Sequence, residues 1–353
     1  MLTQRESMQL KLHSITIEEL VPEEHFLRKL EKTINFSFIY DEVRELYCLD
    51  NGRPGIDPVM LIKYLLVGYL YGIESERRIE QEIQVNMAYR WFLGLDIGER
   101  VPDHSTISQN RRRRFHGERV FRRVFERVLW ICMEKGLVDG KLILTDSTHV
   151  KANASRKSEH KVLVEKQLGL GIEAVGVDSA YDISLVHQEL MEKNIRIVTP
   201  ANDEVPTYKA ELKKEDFTYD EKRDCFLCPM GKDLPLRRLQ RSENNVTQEY
   251  RAERKDCRDC PIRSKCLTAS QPCRRIQVNI FEDAVKKNHE GDGTPEHKAV
   301  LDLRQIWCEG SFAAQKARHN LRRLFRRGLE AAEDHCLLSA TALNLKRMVK
   351  CLG

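Results

Sequence analysis

Leu142-Ile143-Leu144-Thr145-Asp146 is an apolar run closed by a carboxylate, and Ala174-Val175-Gly176-Val177-Asp178 repeats the pattern 32 positions later. Short continuous apolar runs of this kind read as buried strands, here delivering an aspartate at the C-terminal edge of each. After the second run, Ile183, Val186 and Leu190 share one helical face, Ile195 to Val198 reads as a further strand, and Pro200 ends it. Strands alternating with a helix predict an α/β layer built on a parallel sheet. A third acid, Glu309, opens the basic helical stretch Glu309-Gly-Ser-Phe-Ala-Ala-Gln-Lys316. Hard divalent cations need clustered carboxylates, and a polyanionic substrate needs Lys and Arg around them.

Upstream of Leu137 the sequence reads as helical. Phe26, Leu27, Leu30 and Ile34 form one apolar stripe, and Phe121, Val124, Phe125, Val128 and Cys132 form another. Pro22, Pro54, Pro58 and Pro102 fall near helix starts or in turns. The longest apolar stretch, Val59 to Ile73, is interrupted by Lys63 and Gly68, which predicts a core helix and not a membrane span. Met1-Leu-Thr-Gln-Arg-Glu lacks the apolar core of a signal peptide, so the expected location is the cytoplasm.

The chain has 353 residues, and 59 Lys and Arg nearly balance 54 Asp and Glu, for a net charge of +5. The basic residues are segregated: Arg100 to Arg127 holds nine Arg against Asp103, Glu118 and Glu126, and Arg304 to Lys350 holds ten basic against four acidic residues. A charge run is most often a solvated face. Two basic zones around an acidic site nevertheless suit nucleic acid, whose affinity rests on phosphate neutralisation. Arg111, Arg112, Arg113 and Arg114, with Arg322 and Arg323, are the expected DNA contacts.

Between Ala201 and Ile280 the chain turns polar and cysteine-rich, with Cys225-x2-Cys228-Pro followed by Cys257-x2-Cys260-Pro-x4-Cys266. Paired CxxC knuckles present thiolates to one tetrahedral ion, so a structural Zn²⁺ is expected; five cysteines compete for four places. A polar insert of this length is expected to depend on that metal for its fold. Eleven cysteines, an odd number, fit a reducing compartment.

Leu144-Thr-Asp-Ser-Thr-His-Val-Lys-Ala-Asn-Ala154, Val177-Asp-Ser-Ala-Tyr-Asp182 and Trp307-Cys-Glu-Gly-Ser-Phe312 resemble three blocks of bacterial insertion-sequence transposases of the DDE class. Asn51-Gly-Arg-Pro-Gly-Ile-Asp-Pro58, Tyr69-Leu-Tyr-Gly-Ile-Glu-Ser-Glu-Arg-Arg78 and Val101-Pro-Asp-His-Ser-Thr106 are similar to the helical N-terminal region of the same proteins. The resemblance implies an RNase H-like α/β core with an all-α N-terminal domain and a zinc-ribbon-like insert. The corresponding segments are 1–137 (helical, DNA-binding), 138–200 (first part of the core), 201–280 (cysteine-rich insert) and 281–353 (C-terminal helical part of the core). It further implies that Asp146, Asp178 and Glu309 are catalytic and hold two Mg²⁺ (or Mn²⁺) ions. It implies Zn²⁺ on Cys228, Cys257, Cys260 and Cys266, with Cys225 competing for one position and Cys273 a bystander. Transposon ends and target DNA are the implied partners, with a homodimer in the synaptic complex. Lys316, seven residues after Glu309 and about 10 Å along the same helical face, is expected to reach an adjacent phosphate. Arg304 is expected to clamp DNA further off, and His149 and His319 to serve packing or phosphate contact.

The spacing of the two aspartates departs from that family. An RNase H-like core places two antiparallel strands and a helix between them, and 32 positions do not hold these comfortably. Lys151 to Glu173 offers one polar stretch, Ala154 to Lys161, and one short helix, Val162 to Gln167. The expectation is a three-stranded remnant with the Asp146 strand at one edge and the Ile195 strand at the other. Two functions follow: metal-dependent DNA cleavage and strand transfer in transposition, or a catalytically inactive DNA-binding remnant of such an enzyme.

Overall fold

A computed structural model of the chain describes residues 14–48, 55–115, 117–151, 171–200, 211–241 and 246–352. The expected polar stretch at 154–161, the helix at 162–167 and the 51–54 end of the upstream motif lie outside these residues. The chain divides into two compact units: one takes the described residues of 1–139, 148–169 and 310–353, the other those of 140–147 and 170–309.

The first unit is helical and is organised around the helix Pro58–Tyr71. Asp57 caps its start by accepting the Met60 amide at 2.9 Å, and Pro58 occupies the first turn, where a missing N–H costs nothing. Ten consecutive residues, Leu61 to Leu70, are buried, as expected of a helix that is apolar on all sides. The one charge among them, Lys63, is neutralised by Glu31 at 2.8 Å and lies over the Phe92 ring at 4.7 Å. Gly72 ends the helix at φ 70, the left-handed cap that glycine adopts without strain. The 24-residue helix Leu329–Leu352 packs on Pro58–Tyr71 and on Val120–Glu134, burying Leu338, Ala342, Leu345 and Met348. The side-chain amide of Asn320 donates to the carbonyls of Gly68 (3.1 Å) and Ile73 (2.9 Å), tying residues of the C-terminal segment to the end of the core helix.

The second unit contains two sheets. Strands β1 (Leu142–Leu144), β2 (Ala174–Gly176) and β3 (Arg196–Val198) are parallel in the order β1-β2-β3. Among the described residues β1 is therefore an edge strand, as the spacing predicts. The helix Ser184–Glu192 connects β2 to β3, and Val177, Leu190, Ile195 and Ile197 form the small core beneath.

The cysteine-rich stretch departs from expectation. It forms a five-stranded antiparallel meander, β4 (Thr218–Asp220), β5 (Cys225–Leu227), β6 (Asp233–Arg241), β7 (Val246–Arg251) and β8 (Arg275–Asn279). Phe217, Phe226, Leu234, Tyr250, Leu267 and Ile276 give it an apolar cluster of its own. The alternation that marks such strands is missing from the far half of β6, where Arg237, Arg238, Leu239, Gln240 and Arg241 are all exposed.

Candidate active site

The register of the parallel sheet decides where the two aspartates lie. Leu142 pairs with Ala174, Ile143 with Val175 and Leu144 with Gly176, a constant offset of 32 that equals the spacing of Asp146 and Asp178. Pairing continues past the strands, since the Thr145 amide donates to the Gly176 carbonyl at 2.9 Å. Asp146 and Asp178 therefore stand level in the backbone at the C-terminal ends of adjacent strands, which lie about 4.8 Å apart. Their local settings repeat as well: Asp146 Oδ1 accepts the Ser147 amide at 2.7 Å, and Asp178 Oδ1 accepts the Ser179 amide at 2.8 Å.

The helix Pro295–Arg304 crosses this edge of the sheet. His297 Nε2 donates to the carbonyl of Thr199, just past β3, at 3.0 Å. Val300 packs over Gly176 of β2, where an added Cβ would lie 3.0 Å from Val300 Cγ1 and 2.9 Å from Leu144 Cδ2. Arg304 then reaches Asp146, past β1, with Nη1 3.5 Å from Oδ2. Seven residues of helix rise about 10.5 Å, close to the two strand spacings spanned. Glycine at 176 is what lets the helix lie this close.

Arg304 thus lies beside Asp146, and the expectation that places it further off is corrected. Its guanidinium is largely buried, and neither Nε nor Nη1 has a hydrogen-bond partner, so the contact with Asp146 is an ion pair alone. The reason the sequence misplaces it lies in the next five residues, Gln305–Glu309, which wind as a π-helix. Bonding from i to i+5 sets residues five apart nearly above one another, so Glu309 swings toward the side that Arg304 occupies. Burial and then the charge of Asp146 push the Cys308 thiol up, Arg304 opposes them, and Glu309 adds a smaller push. Glu309 itself is exposed, and the three carboxylates do not close into one tight set.

Two hard carboxylates at neighbouring strand ends fit Mg²⁺, which keeps several of its waters and takes one or two protein carboxylates. The cationic guanidinium already seated on Asp146 marks the same spot as one that favours positive charge.

Among the described residues, no three of the cysteines bring their sulfurs within 4.8 Å of one another. Cys228 forms a tight turn in which its amide donates to Lys232 O at 2.9 Å and its sulfur accepts the Lys232 amide at 3.3 Å. Burial raises the Cys257 and Cys266 thiols, and the charges of Cys228 and Cys260 act on both; Cys273 also bears on Cys257. Burial raises the Cys225 thiol too, and the nearby Arg223 opposes this while Asp233, Asp220 and Asp224 add to it.

The basic residues separate into two groups. Arg112 and Arg113 are exposed, as are Arg322 and Arg323, and Lys316 is half-buried. Arg111 instead turns inward to an ion pair with Glu76, and Arg114 lies 4.1 Å over the Tyr47 ring. His319 is buried and donates from Nδ1 to the Tyr69 carbonyl at 2.7 Å, a packing role; His149 is exposed.

Two family models match the chain: a transposase domain over residues 15–113 and a transposase DDE domain over residues 227–349. The second covers the four cysteines, Glu309 and Lys316 and begins downstream of both aspartates. Fold and site thus define a mixed α/β transposase. The chain belongs to the DDE transposases of insertion sequences, a class that works on DNA with a divalent metal, typically Mg²⁺. No curated protein and no solved structure was found to match it. No described helix is long and apolar enough to cross a membrane.

Proposed function

We propose that the chain catalyses DNA strand cleavage and strand transfer for an insertion sequence, with Asp146, Asp178 and Glu309 as the acidic set of an RNase H-like core. The observation that carries this reading is the coincidence of sheet register and aspartate spacing, which keeps Asp146 and Asp178 level in the backbone despite the short connection. Bound at these acids, Mg²⁺ would supply charge stabilisation at the scissile phosphate and lower the pKa of an attacking hydroxyl. Asp146 and Asp178 hold their oxygens fixed through the serine amides, and Arg304 balances their charge until the ion arrives. Water attack on phosphorus breaks the P–O3′ bond at the transposon end. The freed 3′-hydroxyl then attacks a target phosphate, one phosphodiester forming as another breaks. Arg112, Arg113, Lys316, Arg322 and Arg323 supply phosphate contacts, and Arg111 and Arg114 brace the helix that carries the first two. The segments 1–137, 138–200, 201–280 and 281–353 divide this work, with Zn²⁺ on Cys228, Cys257, Cys260 and Cys266. The working assembly is a homodimer on paired ends in the cytoplasm.

The test is cleavage of the element's own ends with Mg²⁺ and with EDTA. Asp146→Asn, Asp178→Asn and Glu309→Gln should each reduce nicking by roughly a thousandfold, equivalent to several kcal/mol, with DNA binding retained. Wild-type protein that binds ends but never nicks them would leave the inactive-remnant reading in place.

A further inference from the structure

Two sets of ligand-capable side chains among the described residues bring one atom each to within 4.8 Å of one another: Glu80 with Asp103 and His104, and Asp182 with His187 and His289. The first is a helix cap. Asp103 caps His104–Arg113, and Glu80 accepts both the backbone amide (3.0 Å) and Nδ1 (2.7 Å) of His104. The second has no such explanation.

Asp182 follows β2 after the 3-10 turn Ser179–Tyr181, His187 lies on Ser184–Glu192, and His289 ends the helix Glu282–His289. Two imidazoles converge on one oxygen: Asp182 Oδ1 is 2.8 Å from His187 Nε2 and 3.4 Å from His289 Nε2. The far nitrogen of His289 is held by Asp292 Oδ2 at 2.6 Å, and Asp292 Oδ1 lies 3.0 Å from His297 Nε2, the nitrogen that donates to Thr199. A carboxylate on the distal nitrogen is how metal-ligating histidines are usually oriented and made more basic. His187 is only 1 % exposed, and its Nδ1 has no hydrogen-bond partner.

We propose that Asp182, His187 and His289 form a second metal site, for a first-row divalent transition ion of the Zn²⁺ type. Two imidazole nitrogens and one carboxylate oxygen suit such an ion better than Mg²⁺, and three protein ligands leave a fourth position for water. Binding exchanges the Nε2 protons for the metal, and these leave to solvent. The site is separate from the acid pair. It fastens the helix Ser184–Glu192 to the segment that leads into Pro295–Arg304, the helix whose far end meets Asp146. It therefore acts by positioning, and it does not depend on the reaction proposed above.

The experiment is a Co²⁺ titration of metal-stripped full-length protein in excess Mg²⁺, which occupies hard carboxylate sites. Cobalt on thiolates shows sulfur-to-metal charge-transfer absorption, whereas cobalt on nitrogen and oxygen shows ligand-field bands alone. The expected result is about one equivalent without charge transfer, beside whatever the cysteines bind. His289→Gln and Asp182→Asn should each abolish that class and leave the thiolate class intact. Wild-type protein with no nitrogen- and oxygen-bound cobalt would overturn the proposal, whatever the variants do. So would either variant that retains the full class. The readout is independent of cleavage, so an inactive transposase could still pass it.

Discussion

Arg304 Nη1 lies 3.5 Å from Asp146 Oδ2, and both side chains are mostly withdrawn from solvent, at 13 % and 16 % exposure. A cation on one of the acids competes with any metal that the pair is to hold. Arg304→Gln should therefore tighten Mn²⁺ binding at the acid pair, by about tenfold for a 1.4 kcal/mol loss of competing attraction. Calorimetric titration of both proteins reads the difference. Weaker binding by the variant would mean that Arg304 orders Asp146 more than it opposes the ion.

The cysteines give a second prediction. Cys257→Ser should lose the proposed zinc and lower the melting temperature of the five-stranded unit, whereas Cys225→Ser should keep the metal, because Cys225 is the fifth cysteine beside the four proposed ligands. Elemental analysis of reductant-protected protein decides, and zinc lost from the Cys225 variant alone would reverse the ligand choice.

For DNA, the two exposed arginines should behave unlike their neighbour. Replacing Arg112 and Arg113 by Ala should weaken binding and reduce the salt slope by about 0.9 for each lost phosphate contact. Arg111→Ala should leave the slope unchanged and destabilise the helical unit, since it strands the carboxylate of Glu76. If the slope fell with Arg111→Ala instead, the inward placement would be wrong.

Burial lowers the pKa of His319 and of His335 in the helical unit. His335 donates from Nε2 to Asn320 O at 2.7 Å and accepts from the Tyr69 hydroxyl at 3.0 Å, a neutral tautomer. The unfolded chain takes up protons near the ordinary value of 6.5 before the folded one does. Stability from these groups is thus fully present above 6.5 and is lost as pH falls below it toward the depressed folded values. Chemical denaturation from pH 7.5 down to about 5 should show this loss, and His319→Gln should flatten it; a pH-independent midpoint counts against buried neutral histidines.

Gly176 offers a purely steric test. A methyl there meets Leu144 at 2.9 Å and Val300 at 3.0 Å, so Gly176→Ala should cost about 1–3 kcal/mol and displace the crossing helix. Cleavage should fall more than DNA binding, because the helix leads into the turn that carries Glu309. Unchanged stability and activity would show that the helix is not seated on this strand.

The sequence by itself determined the three-stranded parallel sheet, the buried helix at 58–71, the acid at the end of each apolar run and the knuckle spacing of the cysteines. These follow from local pattern: unbroken apolar runs, caps and knuckle spacing need no knowledge of distant residues. Tertiary structure alone decided that Asp146 and Asp178 stand level, because register depends on how two strands dock and not on either one. It decided that Arg304 lies beside Asp146, because a π turn breaks the 3.6-residue period from which its direction was read. It turned Arg111 inward to Glu76 while Arg112 and Arg113 stayed in water, a sorting that four identical side chains in a row cannot reveal. It also assembled Asp182, His187 and His289, which have no common motif and converge only because separate helices pack beside the same strands.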